Sequence, residues 1–315
     1  MNPIGGYFSL ELPFHEEFHQ NALRLNTGRN CLEYILRAQQ YRKVYMPYYT
    51  CDVVLEPFHK LNVEYEFYHI DIYFEIDQEI LLHEDEALLY TNYYGLKQNY
   101  VEKLAAQYGH QLIVDNTQAF YAKPIHGIDT FYTCRKFFGI PDGAYLYTNK
   151  FLGIDLEQDV SWDRISFLTK RIDLGAVFGY ADFREQSARL ANQPIKFMSN
   201  LTLRMMQSID YETAAEQRRK NYLYLHNELD KTNLLHLQLD DNAVPMVYPY
   251  LTDREGLREH LIKNKIFVAR YWPNVLECTM PVDFDYQLAY QMQPLPIDQR
   301  YGEKDMEYII SCINE

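Results

Sequence analysis

Cysteine is sparse in this sequence and nowhere paired. Cys31, Cys51, Cys134, Cys278 and Cys312 are scattered, with no Cys-x-x-Cys, which excludes the dense disulfide framework of a small secreted domain and suits a reducing, cytoplasmic setting. Positive charge is also short. Lys and Arg number 30 against 44 Asp and Glu, for a formal net charge of -14 and a pI near 5.2. That balance argues against nucleic acid and against an anionic membrane surface as partners, so an anionic ligand has to be met by a local basic pocket. Long apolar runs are missing. No uninterrupted stretch approaches membrane-spanning length, and the first residues carry acids and histidines rather than a basic region followed by an apolar run, which reads as neither a transmembrane helix nor a signal peptide. There is no internal repeat and no low-complexity tract.

What is present is a globular chain of 315 residues, 47% hydrophobic, long enough for two domains or a large domain with a small companion. Strand and helix patterns alternate: strand 44–47, helix 51–61, strands 65–70 and 87–92, helix 100–108, strand 111–115. The alternation predicts an α/β fold whose large domain holds a mainly parallel sheet with helical crossovers. Past Asn149 the pattern turns polar and acidic, then mixed helical. The segment 199–230 reads as long helical structure, followed by strand 244–250, helix 253–264, strand 266–270, the segment 295–298 and helix 303–313. The large domain is placed at 1–196, and a linking helix with a small α+β domain at 197–315.

Two motifs carry chemistry. In Thr133-Cys134-Arg135-Lys136-Phe137-Phe138-Gly139, a lysine stands on a connection between two predicted core strands, 128–132 and 143–148. Desolvation there, with Arg135 adjacent, would lower its pKa and leave the neutral amine that Schiff-base chemistry needs. A lysine snorkelling at a strand end has the same spacing. Upstream, Ile113-Val114-Asp115-Asn116-Thr117-Gln118 delivers a carboxylate at the carboxyl end of an apolar strand, where open α/β sheets bind ligands. Asp115 there could pair with a protonated pyridine nitrogen, or cap a short helix, or both.

With Asp115, Gln118 and Lys136 together, the chain resembles the DegT/DnrJ/EryC1/StrS aminotransferases, which are fold type I pyridoxal-phosphate enzymes. The likeness rests on Thr-x-x-Lys (Thr133 to Lys136), followed by Gly139 and Asp142-Gly143, and on Asp-x-x-Gln (Asp115 to Gln118). It implies a seven-stranded, mainly parallel sheet with helices on both faces and pyridoxal 5'-phosphate as cofactor. Lys136 would form the internal aldimine, Asp115 would hold the pyridine nitrogen, and Gln118 would face the phenolic oxygen. Leu25-Asn26-Thr27-Gly28-Arg29-Asn30 opens an amphipathic helix whose N-terminus could take an anion. It resembles the family's phosphate loop, which assigns Thr27, Gly28 and Arg29 to the phosphate, with arginine where the family has threonine. The family's ring-stacking aromatic falls at Cys51, so Tyr49 is the candidate substitute. No clear Asn-x-Arg supplies the asparagine that the family lends to a neighbouring subunit's phosphate; Asn192 and Asn200 are the candidates. Gly6 and Tyr7 fall near the substrate entrance, and Arg270 and Arg300 are candidate anion contacts, each of which also reads as a surface ion-pair residue.

The resemblance implies a transaminase moving an amino group from an amino acid, with glutamate common, to a keto sugar, often nucleotide-linked, in a homodimer with shared sites. Sugar dehydration and a catalytically silent binding protein of the same fold are the alternatives. Related dehydratases carry histidine in place of the lysine. His15-Glu16-Glu17-Phe18-His19 matches the His-Glu-x-x-His zinc motif, but no third histidine follows at the expected extension. The segment reads as a solvated helix face, and no metal is expected.

Overall fold

Alternation along the central strands sets the layers of the molecule. In the computed structural model, which describes residues 4–315, seven strands form one sheet: β1 (Leu23–Leu25), β2 (Lys43–Pro47), β3 (Glu64–Tyr68), β4 (Glu86–Thr91), β5 (Leu112–Asp115), β6 (Asp129–Thr133) and β7 (Ala144–Tyr147). Their order is β1-β7-β6-β5-β4-β2-β3. Strands β2 to β6 pair in parallel, and β7 lies antiparallel to both β6 and β1. Successive side chains point to opposite faces. Ala87, Leu89, Ile113, Phe131 and Leu146 therefore face the helices Gly28–Gln39 and Leu55–Leu61, meeting Cys31, Leu32, Ile35 and Phe58. Leu88, Tyr90, Leu112, Val114, Tyr132 and Tyr145 face the other side, where Val101 and Leu104 of the helix Gln98–Tyr108 pack. Both faces are covered, as a buried parallel sheet requires.

That second face uses many of the chain's 29 tyrosines. Their rings fill the core while their hydroxyls find carbonyls: Tyr68 donates to Leu89 O at 2.8 Å, Tyr90 to Phe74 O at 2.6 Å and Tyr132 to Ala122 O at 2.9 Å. A buried phenol is tolerated once its hydroxyl is bonded.

Beyond the sheet, the helices Ser166–Leu174 and Ala176–Arg189 form a hairpin. The segment expected as long helical structure consists of two helices, Asn200–Met206 and Tyr211–Leu229. The break has a local cause: Asp210 caps the second helix by accepting from Thr213 N at 3.0 Å. The C-terminal part adds β8 (Val247–Tyr250) and β9 (Gln293–Pro296), paired antiparallel, with the helices Leu257–Lys263, Phe284–Gln291 and Glu303–Asn314. The expected strand 266–270 is absent. Ile266 and Val268 are buried, but the segment pairs with no strand. No helix among the described residues is long and apolar enough to cross a membrane.

The segment carrying His15 and His19 is not helical, contrary to the solvated helix face expected. His19 is buried between Phe120, Tyr132 and Tyr145, with Nε2 2.8 Å from Phe120 O and Nδ1 3.2 Å from the Tyr147 hydroxyl. Both ring nitrogens are satisfied by a donor and an acceptor of this chain, the pairing of a neutral ring. Burial pushes its pKa down to about 4. No cluster of three or more His, Cys, Asp or Glu able to hold a metal occurs among the described residues.

Candidate active site

At the carboxyl ends of β5 and β6 the sheet opens into a cleft of about 270 Å³. Asp115 closes β5 and is buried; its Oδ1 accepts from Thr117 N at 2.8 Å, which folds the chain back over the strand end. β6 ends at Thr133, and a hydrogen-bonded turn follows in which Phe137 N and Phe138 N both donate to Cys134 O, at 3.2 and 3.1 Å. Phe137 and Phe138 turn inward, where Phe120 touches both rings, and Lys136 is left projecting into the cleft. The return strand needs Gly143, whose φ is +98° and where a Cβ would sit 2.7 Å from Thr202 Cγ2.

The turn is held from the C-terminal side. Phe137 O accepts from Arg218 Nη2 at 3.1 Å and from Gln299 Nε2 at 3.0 Å. Arg218 is fully buried without a carboxylate partner; it also donates to Met246 O at 3.1 Å and sits 4.6 Å above the Phe137 ring. Burial takes its pKa down to about 10.

Lys136 Nζ donates to Thr117 Oγ1 at 3.0 Å, so Thr117 touches the carboxylate through its amide and the amine through its hydroxyl. The lysine keeps accessible surface because it faces the open cleft, yet its walls are close enough that desolvation lowers its pKa, opposed by Asp115 and Cys51. Solvent reaching the side chain moderates that depression. Burial raises the pKa of Asp115, opposed first by Lys136 and then by Thr117. An amine biased toward its neutral form beside a carboxylate that gains from a nearby cation is an arrangement typical of catalytic clefts.

The structure brings Thr27, Gly28, Arg29, Asp115, Gln118, Thr133 and Lys136 to this one cleft. Thr27 caps the helix Gly28–Gln39, accepting from Asn30 N at 3.1 Å. Arg29 is already engaged, in an ion pair with Glu56 at 2.7 Å. Gln118 lines the cleft while its Oε1 accepts from Tyr94 N at 3.0 Å. Tyr49, expected to stack on a ring, is not among the lining residues. It is fully buried, and its hydroxyl is 2.9 Å from that of Tyr94; the turn after β2 aims it into the core. Tyr7 is 98% exposed, and a Cβ on Gly6 would meet nothing within 4 Å. Arg270 lies 5.7 Å from the Tyr290 ring, and Arg300 pairs with Asp298 at 2.6 Å; neither lines the cleft.

Among the further lining residues not assigned to the site by the sequence are Thr117, Arg135, Asp142 and Trp272. Thr117 and Asp142 lie inside or beside the quoted motifs. Arg135, next to Lys136, donates to Ser187 Oγ at 3.1 Å, lies 5.2 Å over the Phe183 ring, and keeps a buried Nε with no partner. Burial takes its pKa down to about 10, with Arg29 adding to the effect and Asp142 opposing it. Trp272 arrives from the C-terminal part and has no local sequence signal.

No family model and no curated protein matches the chain in sequence. Solved structures do match in shape. An aminotransferase of the DegT DnrJ EryC1 StrS type from Brucella abortus aligns with a TM-score of 0.62 at 15% identity, over 93% of this chain and 85% of that one. Helicobacter pylori PseC, an aminotransferase involved in the biosynthesis of pseudoaminic acid, gives 0.64 at 13% identity, over 93% and 85%. S. venezuelae DesV, solved in complex with a ketimine intermediate, gives 0.60 at 16% identity, over 93% and 83%. The likeness is one of fold: a mainly parallel seven-stranded sheet with flanking helices, the fold type I architecture of pyridoxal-phosphate-dependent transferases.

Proposed function

We propose that this chain is a pyridoxal-phosphate-dependent aminotransferase acting on a keto sugar. The observation that carries the reading is the Asp115–Thr117–Lys136 arrangement: a carboxylate and an amine delivered from neighbouring strand ends to one cleft and bridged by one threonine. The residues present fit the cofactor. Asp115 is a buried carboxylate that a protonated ring nitrogen would stabilise, and the partnerless Nε of Arg135 beside the amides opening the helix Gly28–Gln39 suits a phosphate. Bound there, pyridoxal phosphate supplies an aldehyde for a primary amine and a ring that takes up negative charge.

This chain's own residues do the rest. Lys136, whose pKa desolvation lowers, would be the amine that holds the cofactor, and once an amino donor had displaced it from there it would move the proton at the substrate carbon, as covalent partner and general base in turn. Thr117 orients its Nζ, and the carbonyl of Phe137, held by Arg218 and Gln299, fixes the turn from which it projects. The amino donor in this reading is an amino acid, glutamate first, and the acceptor a keto sugar carried on a nucleotide. The sugar aminotransferases among the similar folds support that class. A homodimer belongs to the reading. The hairpin next to the cleft exposes Ile172, Val177 and Phe178 at 82%, 70% and 67%, an apolar face that a second copy would cover.

The test is the absorption spectrum of the purified chain with pyridoxal phosphate, before and after borohydride, followed by peptide mapping. A yellow band lost on reduction, with the adduct on Lys136, is expected; adducts on surface lysines alone would sink the reading. Adding glutamate to the loaded protein should then bleach the band.

A further inference from the structure

We propose that Trp272 is the aromatic wall of the ring site in this cleft, filling from the C-terminal part of the chain a role that neither Cys51 nor Tyr49 fills. The inference rests on the aminotransferase reading and adds to it the residue that grips the flat face of the cofactor.

Three aromatic side chains line the cleft: Phe131, Phe183 and Trp272. Two are committed elsewhere. A Cβ on Gly28 would lie 4.0 Å from the Phe131 ring, which places that ring under the helix end, and the Phe183 ring carries the Arg135 guanidinium at 5.2 Å. Trp272 remains. It is 8% exposed and lines the same cleft as Asp115, Lys136, Thr50 and Cys51.

The indole is fixed by two neighbouring rings. Tyr49 meets it edge-on, with ring centroids 5.0 Å apart at 60°, and Tyr271 adds a second contact at 5.4 Å. The loop is tied to the turn carrying Cys51: Asn274 Nδ2 donates to Thr50 O at 3.0 Å, and Val275 N donates to Trp272 O at 3.1 Å. Tyr49 thus contributes as a buttress to the wall rather than as the wall itself. Cys51, with its small side chain, contributes no ring. A pyridine ring protonated opposite Asp115 is a cation, and indole is the side chain whose face attracts a cation most strongly.

The chain contains two tryptophans, and Trp162 is 73% exposed and does not line the cleft. Trp162→Phe therefore leaves Trp272 as the reporter. Titrating that variant with pyridoxal phosphate should quench most of its emission, with the same midpoint as the growth of the yellow band. Trp272→Ala should weaken cofactor affinity about tenfold, and Trp272→Phe, which keeps a ring, about threefold. Thermal unfolding of the cofactor-free variants shows whether each is folded. A yellow adduct on Lys136 in both the wild type and Trp272→Ala, with equal affinity and with Trp272 emission unquenched, would overturn this inference alone. No adduct on Lys136 in the wild type would overturn the aminotransferase reading and this inference with it.

Discussion

Around Lys136 and Asp115, charged groups face an open cleft with hydrogen-bonding capacity to spare, whereas around His19 and Glu17 the polar atoms are spent within the chain. Glu17 accepts from Arg24 Nε at 2.9 Å and from the Tyr145 hydroxyl at 2.7 Å, and both nitrogens of His19 have partners. Both clusters contain buried titratable residues, and both match a short catalytic motif. They differ in what is left over. A buried group whose every donor and acceptor is satisfied stabilises the fold, while a partnerless Nε on Arg135 and an amine bonded only to Thr117 wait for something else.

The sharpest way to break this comparison is Lys136→Ala. If the cleft is the reacting centre, turnover should fall by at least about 10³-fold, since both the covalent partner and the proton carrier are lost. Stability should change little, because the side chain is exposed and makes one hydrogen bond. Steady-state transamination together with thermal unfolding checks both halves; robust turnover by the variant would remove Lys136 from the chemistry.

His19 should behave in the opposite way, affecting stability and its pH dependence. Its folded pKa, about 4, lies below the ordinary 6.5. The unfolded chain binds the proton first, so the contribution is fully present above about pH 6.5 and is lost as pH falls toward 4. A gap of about 2.5 units is worth about 3 kcal/mol at most. Denaturant unfolding of His19→Gln, which can still donate to Phe120 O, should lack that part of the acid slope. An unchanged slope between pH 6.5 and 4 would show that His19 is not the group responsible.

How much of the molecule is legible from sequence follows the range of the contacts involved. Period-two alternation and strand–helix spacing locate β2 to β7 closely, because the burial of each strand shows in its own residues: β4 and β5 are buried throughout, while the edge strand β3 alternates exposed Glu64 and Glu66 with Tyr65 and Phe67. β1 escapes them: three residues on a sheet edge leave too little pattern. The segment 266–270 has strand-like residues and no strand to pair with, and pairing is a long-range property. In the site, Asp115 and Lys136 are readable because a strand end and a turn aim them. Tyr49 is misplaced because one step of alternation decides between cleft and core. Trp272 is invisible because its place beside Cys51 depends on Asn274 reaching Thr50 across the chain.

The finest test separates two arginines that share the cleft. Arg29 is the sequence-based choice for the phosphate, yet its guanidinium is held by Glu56 at 2.7 Å, and Glu56 also accepts from Asn192 N at 2.9 Å. Arg135 has a buried, partnerless Nε and a pKa lowered by desolvation, so an arriving anion would relieve an existing cost there. Arg135→Gln should therefore weaken pyridoxal phosphate binding about tenfold, which is about 1.4 kcal/mol. Arg29→Gln should weaken it by about threefold or less, since an engaged ion pair has little left to give. Calorimetric titration of both variants reads the two numbers side by side. A larger loss for Arg29→Gln would mean that the ion pair with Glu56 opens on binding, and that spare hydrogen-bonding capacity in the cleft is a poor guide to where the anion sits.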